Sequence, residues 1–192
     1  MRLDRLTQKS QEALQLAQEL ASEHNNSQIE VEHLFLALLE QEESLVANIL
    51  ATLGVPVSTL KGELQQSIEK LPRMYSTSAT GQVYISAQLK NVLERAWQEA
   101  QRLKDEYISV EHLLLGIAEE KGCRAQELLL NYGATKDKIY GALQKIRGNQ
   151  RVTDPEPETK YQVLQKYSRD LTELARKGKL DPVIGREEET VE

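Results

Sequence analysis

The sequence predicts an all-α protein in which eight helices form two pseudo-symmetric four-helix units, followed by a flexible linker and a short helical tail. The main observation is an internal repeat: residues 29–36 read IEVEHLFL, and residues 108–115 read ISVEHLLL, 79 positions later. The same offset relates further residues on both sides without a gap, including those that favour helix starts and ends. This self-similarity indicates a duplicated helical unit whose two copies pack against each other.

The first helix of each unit is predicted at equivalent positions, over residues 7–22 and about 86–104. Thr7 and Ser86 stand at the two starts, and both residue types are favourable N-caps. In the second copy, apolar residues recur at helical spacing and define one face that can be buried. These stripe residues are Leu89, Val92, Leu93, Ala96, Ala100 and Leu103.

Three further helices complete each unit. The second begins near Val31 and Val110 and is apolar on most sides, which is typical of a central core helix. The third is expected to stop at Gly54 and Gly133, where a left-handed C-cap favours glycine. The fourth helix of the first unit follows Pro56, a residue that suits a first helical turn. The remaining helix starts are near Ser44, Arg124 and Thr135.

The repeat also sets the domain organisation of the first part of the chain. Repeat 1 covers about residues 1–71 and repeat 2 about residues 84–147, so that residues 1–147 form one repeat domain. The intervening segment, residues 72–84, is polar, rich in Ser and Thr, and without periodicity. It is therefore predicted to be a loop.

The remainder of the chain has a different character. Residues 148–160 hold Pro155 and Pro157 among charged residues, which predicts a mobile linker. Residues 161–177 have a helical pattern that ends at a glycine. Residues 161–192 are therefore expected to begin another module rather than to belong to the repeats.

Composition excludes several classes of function. The net charge is -6 over 192 residues, and neither the repeats nor the extension is basic, so a nucleic-acid interface is not expected. The single cysteine, Cys123, excludes an internal disulfide and fits a reducing compartment. No secretory signal is visible, and the longest apolar run, residues 34–39, is too short to cross a bilayer. We expect a soluble, cytoplasmic, monomeric chain.

The two Glu-His pairs invite a metal or catalytic interpretation, which the spacing does not support. A zinc-protease helix needs His-Glu-x-x-His, and neither copy has the second histidine. We expect His33 and His112 to make structural hydrogen bonds in the first turn of a helix. Cys123 has no evident base partner in the sequence. No catalytic residue and no metal ligand are therefore predicted.

The duplicated Glu-His unit resembles the Clp repeat domain found at the N-terminus of Clp-type AAA+ chaperones. Residues 167–189, YSRDLTELARKGKLDPVIGREEE, resemble the segment that joins this N-domain to the first ATPase module of ClpB-type disaggregases. The opening residues, MRLDRLTQKSQ, are also more similar to ClpB-type than to ClpA- or ClpC-type proteins. The resemblance covers essentially the whole chain, and residues 161–192 match the start of the first AAA+ module.

The resemblance implies a substrate-recognition domain of a larger hexameric machine. Its expected ligands are exposed apolar segments of aggregated or stress-denatured proteins, which a parent protein using ATP and Mg would thread through its pore. That parent is expected to form a homohexamer, to carry a coiled-coil segment and to work with a Hsp70-type chaperone system. The present residues contain no phosphate-binding G-x-x-x-x-G-K-[ST] motif, so no ATPase activity is expected of them. In a complete module, Val183, Ile184 and Gly185 would lie beside the adenine.

A substrate groove is also implied. ClpB-type N-domains place polar residues around such a groove, at positions that Thr7, Asp105 and Glu111 match. Trp97 lies at the edge of its apolar stripe, and its counterpart in the first repeat is Gln18, so the symmetry of the core does not require an aromatic residue there. An aromatic side chain at the boundary between core and solvent suits a shallow peptide-binding surface. The expected substrate-binding residues are Thr7, Leu93, Trp97, Asp105, Val110, Glu111 and Glu32.

Five of these residues also have a purely structural interpretation. Thr7 can be a plain N-cap, Asp105 a carboxylate in the loop after a helix, and Trp97 a side chain at the edge of the core. Leu93 and Val110 are expected in the core, lining at most the floor of the groove.

Glu32 and Glu111 suggest a second kind of site. If the repeats pair symmetrically, these carboxylates are expected at related places on the surface, where basic groups of a bound segment would reach them. In ClpC-type relatives the equivalent acids help to form docking sites.

Three alternatives to substrate capture remain open at this stage. An adaptor-docking domain of a Clp protease ATPase would bind a folded, charged partner and would depend on Glu32, Glu111 and salt. A steric regulator of the ring would bind neither ligand. An enzyme in its own right has no support, because no nucleophile–base pair is evident.

Overall fold

The computed structural model describes residues 3–74, 83–148 and 150–158. Within these residues the chain forms two four-helix units, which confirms the predicted all-α fold class. The first unit contains α1 (Gln8–Glu23), α2 (Val31–Glu40), α3 (Leu45–Thr52) and α4 (Val57–Glu69). The second contains α5 (Ala87–Arg102), α6 (Val110–Glu119), α7 (Arg124–Asn131) and α8 (Lys136–Arg147). The predicted helix over residues 161–177 lies outside the described residues.

The predicted helix boundaries are set by local chemistry. The Thr7 hydroxyl oxygen accepts from the Ser10 N–H at 3.2 Å, and the Ser86 oxygen accepts from the Leu89 N–H at 3.1 Å. Caps of this kind contribute about 1 kcal/mol each. The third helices end at left-handed glycines, where φ is +86° in the first unit and +74° in the second. Each cap predicted at these positions is therefore confirmed.

The two Glu-His helices, α2 and α6, form the centre of the core. Residues 31–39 of α2 and residues 110–117 of α6 are all buried. Helix α2 packs on α1 and α4, and α6 packs most extensively on α5. At the α5–α6 contact, a Cβ on Gly116 would stand 2.6 Å from the Val92 carbonyl oxygen. Only glycine permits this close approach of the two backbones.

Two short backbone pairings interlock the units, and neither was predicted from the sequence. Strand β1 (Gln28–Ile29) pairs in parallel with β2 (Tyr84–Ile85), and Leu6 pairs in parallel with Ile108. Each pairing joins the chain before the first helix of one unit to the chain before the second helix of the other. A strand of two residues is too short to produce a detectable alternation of polar and apolar residues.

The segment 150–158, which we call the tether, lies against the repeat domain. Val152 is completely buried, its N–H donates to Asp105 Oδ1 at 2.8 Å, and its carbonyl accepts from the Glu106 N–H at 2.7 Å. The Pro155 carbonyl accepts from the Gln8 N–H at 2.9 Å. Residues 150–158 therefore make specific contacts with the repeat domain, whereas the mobility predicted for residues 148–160 stays a prediction. The proline and charge content of a segment cannot reveal a tertiary partner for its backbone.

Among the described residues, no single helix is long and apolar enough to cross a membrane. Helices α3 and α4 reach the required length and composition only as a pair, and the pair is bent by 118°. Four apolar residues of α3 and three of α4 are buried in the core: Leu45, Val46, Ile49, Leu50, Leu60, Leu64 and Ile68.

Candidate functional site

The starts of α1 and α6 lie side by side and form what we call the α1–α6 groove, between residues 5–10 and residues 105–111. Backbone pairing holds the two sides together. The Thr7 N–H donates to the Ile108 carbonyl at 3.0 Å, and the Ile108 N–H donates to the Arg5 carbonyl at 2.7 Å. The first N–H groups of a helix have no acceptor within that helix. The groove therefore offers hydrogen-bond donors to a chain placed along it.

The end of the tether fills the groove with a carboxylate. Glu158 is 3 % exposed, and its Oε2 accepts from the Thr7 hydroxyl at 2.7 Å and from the Val110 N–H at 3.0 Å. Burial raises the pKa of Glu158 to about 7, and the nearby Glu111 carboxylate adds to the rise. A carboxylate at the start of α6 gains from the helix dipole, but here it is held close to a like charge.

Asp105 lies at the other side of the groove, inside a buried network. It accepts from His112 Nε2 at 2.7 Å and from both terminal nitrogens of Arg147, at 2.7 and 3.0 Å. It also accepts from the Val152 N–H of the tether. Burial works against the charged form, but these hydrogen bonds outweigh it and hold the pKa of Asp105 at about 2. Asp105 is thus ionised, paired with Arg147 and hydrogen-bonded directly to the tether.

Glu111 is completely buried between this network and Glu158. Its Oε2 accepts from Arg147 Nη1 at 3.3 Å. Its Oε1 has no hydrogen-bond partner among the described residues, and the same holds for Oε1 of Glu158. Two buried carboxylates that each keep one unsatisfied oxygen mark the least satisfied part of the structure.

The first unit carries an uncharged version of the same arrangement. The Glu30 N–H donates to His33 Nδ1 at 2.8 Å, so Nε2 carries the proton and donates to Asn26 Oδ1 at 2.9 Å. Burial lowers the pKa of His33 to about 4. At the 79-residue offset, Asn26 replaces Asp105 and an isoleucine replaces Arg147. The expected structural role of both Glu-His histidines agrees with the structure, because the Ser109 N–H donates to His112 Nδ1 in the same way.

Glu32 has a different environment from its repeat counterpart. It is 6 % exposed, and its Oε2 accepts from the Ala125 N–H at 3.0 Å, at the start of α7. Burial raises the pKa of Glu32. The expectation that Glu32 and Glu111 lie on the surface is therefore wrong, because Glu32 is enclosed against the start of α7 and Glu111 between Arg147 and the tether.

The structure brings together four of the seven expected substrate-binding residues: Thr7, Asp105, Val110 and Glu111 all contact the tether or border Glu158. Leu93 is completely buried in the core. Trp97 is half-buried on α5, packed against that core. That Trp97 contacts a substrate stays a prediction. Residues 183–185, the expected nucleotide-binding edge, lie outside the described residues.

Arg147 and Glu158 are important to the site and were missed by the sequence analysis. Arg147 could have been found from the repeat, because its counterpart Ile68 is a fully buried core residue. A charge at such a position indicates a buried ion pair. Glu158 had no comparable signal, since it lies in a segment without repeat or periodicity.

Cys123 has the environment of a structural residue. Its sulfur accepts from the Gln126 N–H at 3.4 Å as the N-cap of α7, and burial raises its pKa to about 11. A thiol with so high a pKa is a poor nucleophile. Within the described residues, no group of three or more His, Cys, Asp or Glu side chains is arranged to hold a metal ion.

Sequence comparison links the chain to ClpB chaperones. It is 43 % identical over 190 residues to the chaperone protein ClpB of Bacillus cereus, covering 98 % of this chain and 22 % of that protein. It is also 43 % identical over 183 residues to ClpB of Mycobacterium bovis, covering 95 % of this chain and 21 % of the relative. The chain thus matches the N-terminal part of these chaperones and spans about a fifth of their length.

Solved structures show the same fold at lower identity. The N-terminal domain of Hsp104 from Candida albicans superposes with a TM-score of 0.70 at 21 % identity, covering 80 % of this chain and 98 % of that one. The ClpV N-domain in complex with a VipB peptide superposes with a TM-score of 0.60 at 20 % identity, covering 78 % and 91 %. Residues 5–132 match the family described as Clp repeat (R) N-terminal domain. The chain therefore belongs to the Clp repeat N-terminal domain family.

Proposed function

We propose that this chain is the substrate-recognition domain of an ATP-dependent protein disaggregase and that it binds unfolded, apolar segments of aggregated proteins in the α1–α6 groove. The observation that carries the proposal is the tether itself. A stretch of polypeptide without regular structure at residues 150–153 lies along the groove, buries the Val152 side chain, and accepts from backbone N–H groups at the starts of α1 and α6. A surface that accepts its own chain in this way suits an unfolded segment of another protein.

The contacts available to such a segment support weak, reversible binding. Each backbone hydrogen bond contributes about 1 kcal/mol net, and burial of one aliphatic side chain contributes about 1.5–3 kcal/mol. These gains are partly offset by the ordering of a flexible ligand. The expected affinity is micromolar, on the order of -8 kcal/mol. Weak binding suits a domain that must release its substrate to a translocating pore.

The remaining activities belong to a longer parent protein. Because the chain spans about a fifth of its ClpB relatives, we propose that ATP and Mg binding, homohexamer formation and cooperation with a Hsp70-type system reside outside the described residues. Six recognition domains on one ring would raise the local concentration of binding sites around a substrate.

A second candidate function is docking of a specific adaptor. The observation that favours it is the polar character of the groove, in which Thr7, Val110 and Asp105 bind the tether through directed hydrogen bonds. The related ClpV N-domain has been solved with a VipB peptide, so this fold can bind a defined segment. Adaptor docking through charges should weaken strongly with salt, whereas capture of apolar segments should persist.

The test uses the internal symmetry of the chain as its control. An unfolded, tryptophan-free polypeptide is added while the backbone amide signals are followed by NMR. We expect saturable micromolar shifts at Gln8 and Val110 in the groove. Their repeat counterparts, Ala87 and Val31, should change little. Fluorescence of the single tryptophan, Trp97, gives an independent binding curve and tests the predicted contact.

The salt dependence of the same titration distinguishes the two candidates. Binding that survives high salt supports capture of apolar segments. Binding that is lost at high salt supports adaptor-type docking. If neither the amide signals nor sedimentation detects binding, the recognition proposal is rejected and a steric role in the ring becomes the leading alternative.

A further inference from the structure

The tether occupies the α1–α6 groove and uses the backbone donors that a second chain would need. The Gln8 and Val110 N–H groups already donate to Pro155 and Glu158. We propose that the tether is an intramolecular ligand that competes with substrate for the groove, so that the domain captures unfolded segments only when the tether leaves. This inference rests on the proposed function of the groove.

The first part of the tether makes a specific, apolar attachment. Val152 is completely buried, and both its N–H and its carbonyl are hydrogen-bonded to the loop between α5 and α6, through Asp105 and Glu106. Its neighbour Thr153 is exposed. Residues 151–153 thus bury only the middle side chain while the Val152 backbone is hydrogen-bonded on both its N–H and its carbonyl. A competing segment therefore needs an aliphatic residue at the position of Val152.

The last part of the tether is held less well, which makes release possible. Glu158 has two good hydrogen bonds but brings its carboxylate beside that of Glu111. One oxygen of each group lacks a hydrogen-bond partner within the described part of the chain. Unsatisfied buried oxygens and like charges disfavour the docked state. A substrate that carries an amide oxygen at this position accepts the same two hydrogen bonds without the repulsion, so it can displace the tether.

Charged groups on three sides of Glu158 make docking sensitive to pH. Glu111 faces it from α6, while Lys9 of α1 and Glu43 of the α2–α3 loop line the same small cavity. The pKa of Glu158 is about 7 when docked, against an ordinary value of 4.5. The docked state therefore holds its proton more tightly. Docking is strongest below pH 4.5, weakens as the pH rises towards 7, and is constant above that range.

The experiment introduces a carboxylate at residue 152 to release the tether and, as a control, the same carboxylate at the exposed residue 153. Val152→Asp places a carboxylate in the apolar pocket beside Asp105, whereas Thr153→Asp adds the same charge at an exposed position. Both are made in the full 192-residue chain. Hydrogen exchange at the Gln8 and Glu106 amides, which the tether occupies, reports docking directly.

We expect Val152→Asp to lose protection at these amides and to bind an unfolded, tryptophan-free polypeptide on the order of tenfold more tightly. Thr153→Asp should match the unaltered chain in both respects. Circular dichroism verifies that the helices remain, and Val152→Ser replaces Val152→Asp if the latter unfolds.

Two results would overturn the inference. One is a Val152→Asp chain that loses protection but binds the polypeptide no better, because the tether then does not compete. The other is an unaltered chain without protection at the Gln8 and Glu106 amides, because the tether then does not dock. In a third outcome, protection changes as expected but no variant binds any polypeptide. This result rejects the proposed function, and with it the competition between tether and substrate. It does not reject docking of the tether.

Discussion

Replacing Arg147 by isoleucine should strongly destabilise the domain, although the first repeat has isoleucine at the same position. Arg147 supplies three hydrogen bonds to two buried carboxylates, those of Asp105 and Glu111. Its removal leaves both carboxylates buried without their cation. In the first repeat the equivalent Ile68 causes no such problem, because Asn26 there is neutral.

The expected cost can be worked from the geometry. The Arg147 side chain is 7 % exposed, and those of Asp105 and Glu111 are completely buried, so solvent screening is slight. Loss of one partner from a buried ion pair costs about 3–5 kcal/mol. A domain of this size has a total stability of about 5–15 kcal/mol, so the Arg147→Ile chain should be marginal.

The first repeat also suggests the rescue. Asp105→Asn combined with Arg147→Ile reproduces its neutral arrangement, in which an amide oxygen accepts from the histidine. We expect this double variant to recover at least half of the lost free energy. Glu111 still lacks its partner in that chain. A triple variant that adds Glu111→Gln should therefore recover more.

Urea denaturation followed by circular dichroism measures these free energies of unfolding, and the double-mutant cycle gives the coupling between Asp105 and Arg147. An NMR titration adds a second measurement. The pKa of Asp105, about 2 in the unaltered protein, should rise in Arg147→Ile. The reasoning is refuted if Arg147→Ile costs less than about 1 kcal/mol, or if the double variant is no more stable than the single one.

Further predictions concern positions where the repeats differ or where a buried group titrates. Gly116→Ala should cost about 1–3 kcal/mol by denaturation, since its Cβ would stand 2.6 Å from a carbonyl oxygen of α5; the counterpart in the first unit is Ala37, so α2 already accommodates a Cβ there. Cys123→Ser should keep stability within about 1 kcal/mol, because Ser44 caps the equivalent helix, and a larger loss would contradict equivalent capping. In the folded chain Cys123 should react with a thiol reagent much more slowly than in urea, because burial raises its pKa to about 11. The free energy of unfolding should fall by up to about 1.4 kcal/mol per pH unit as the pH drops from 6.5 to about 4, because His33 binds a proton in the unfolded chain but not in the native one. An unchanged slope in His33→Gln would contradict this origin.

Much of the fold could be predicted because helices are determined by neighbouring residues. Capping residues such as Thr7 and Ser86 and the terminal glycines act within one helical turn, and the 79-residue offset places the same signals in both copies. The fold class, the helix boundaries and the structural role of the two Glu-His histidines followed from these signals.

The candidate site could be predicted only in part. The resemblance identified Thr7, Asp105, Val110 and Glu111, which the fold does bring to one groove. It did not reveal that Glu111 is enclosed, because its burial depends on how α8 and the tether pack against it. Nor could it reveal that Glu158 lies beside Glu111, since the two residues are far apart in the sequence.

The sequence by itself determined that two copies of a four-helix unit would form an all-α domain, because the period and the caps of each helix are local properties. Only the tertiary structure decided that the units interlock through Leu6 and Ile108, and that the tether returns to lie between α1 and α6. These are backbone hydrogen bonds between distant segments, and backbone groups are the same in every residue. The packing of the helices therefore decides which backbone groups pair. The pattern of side chains along the sequence does not reveal that packing.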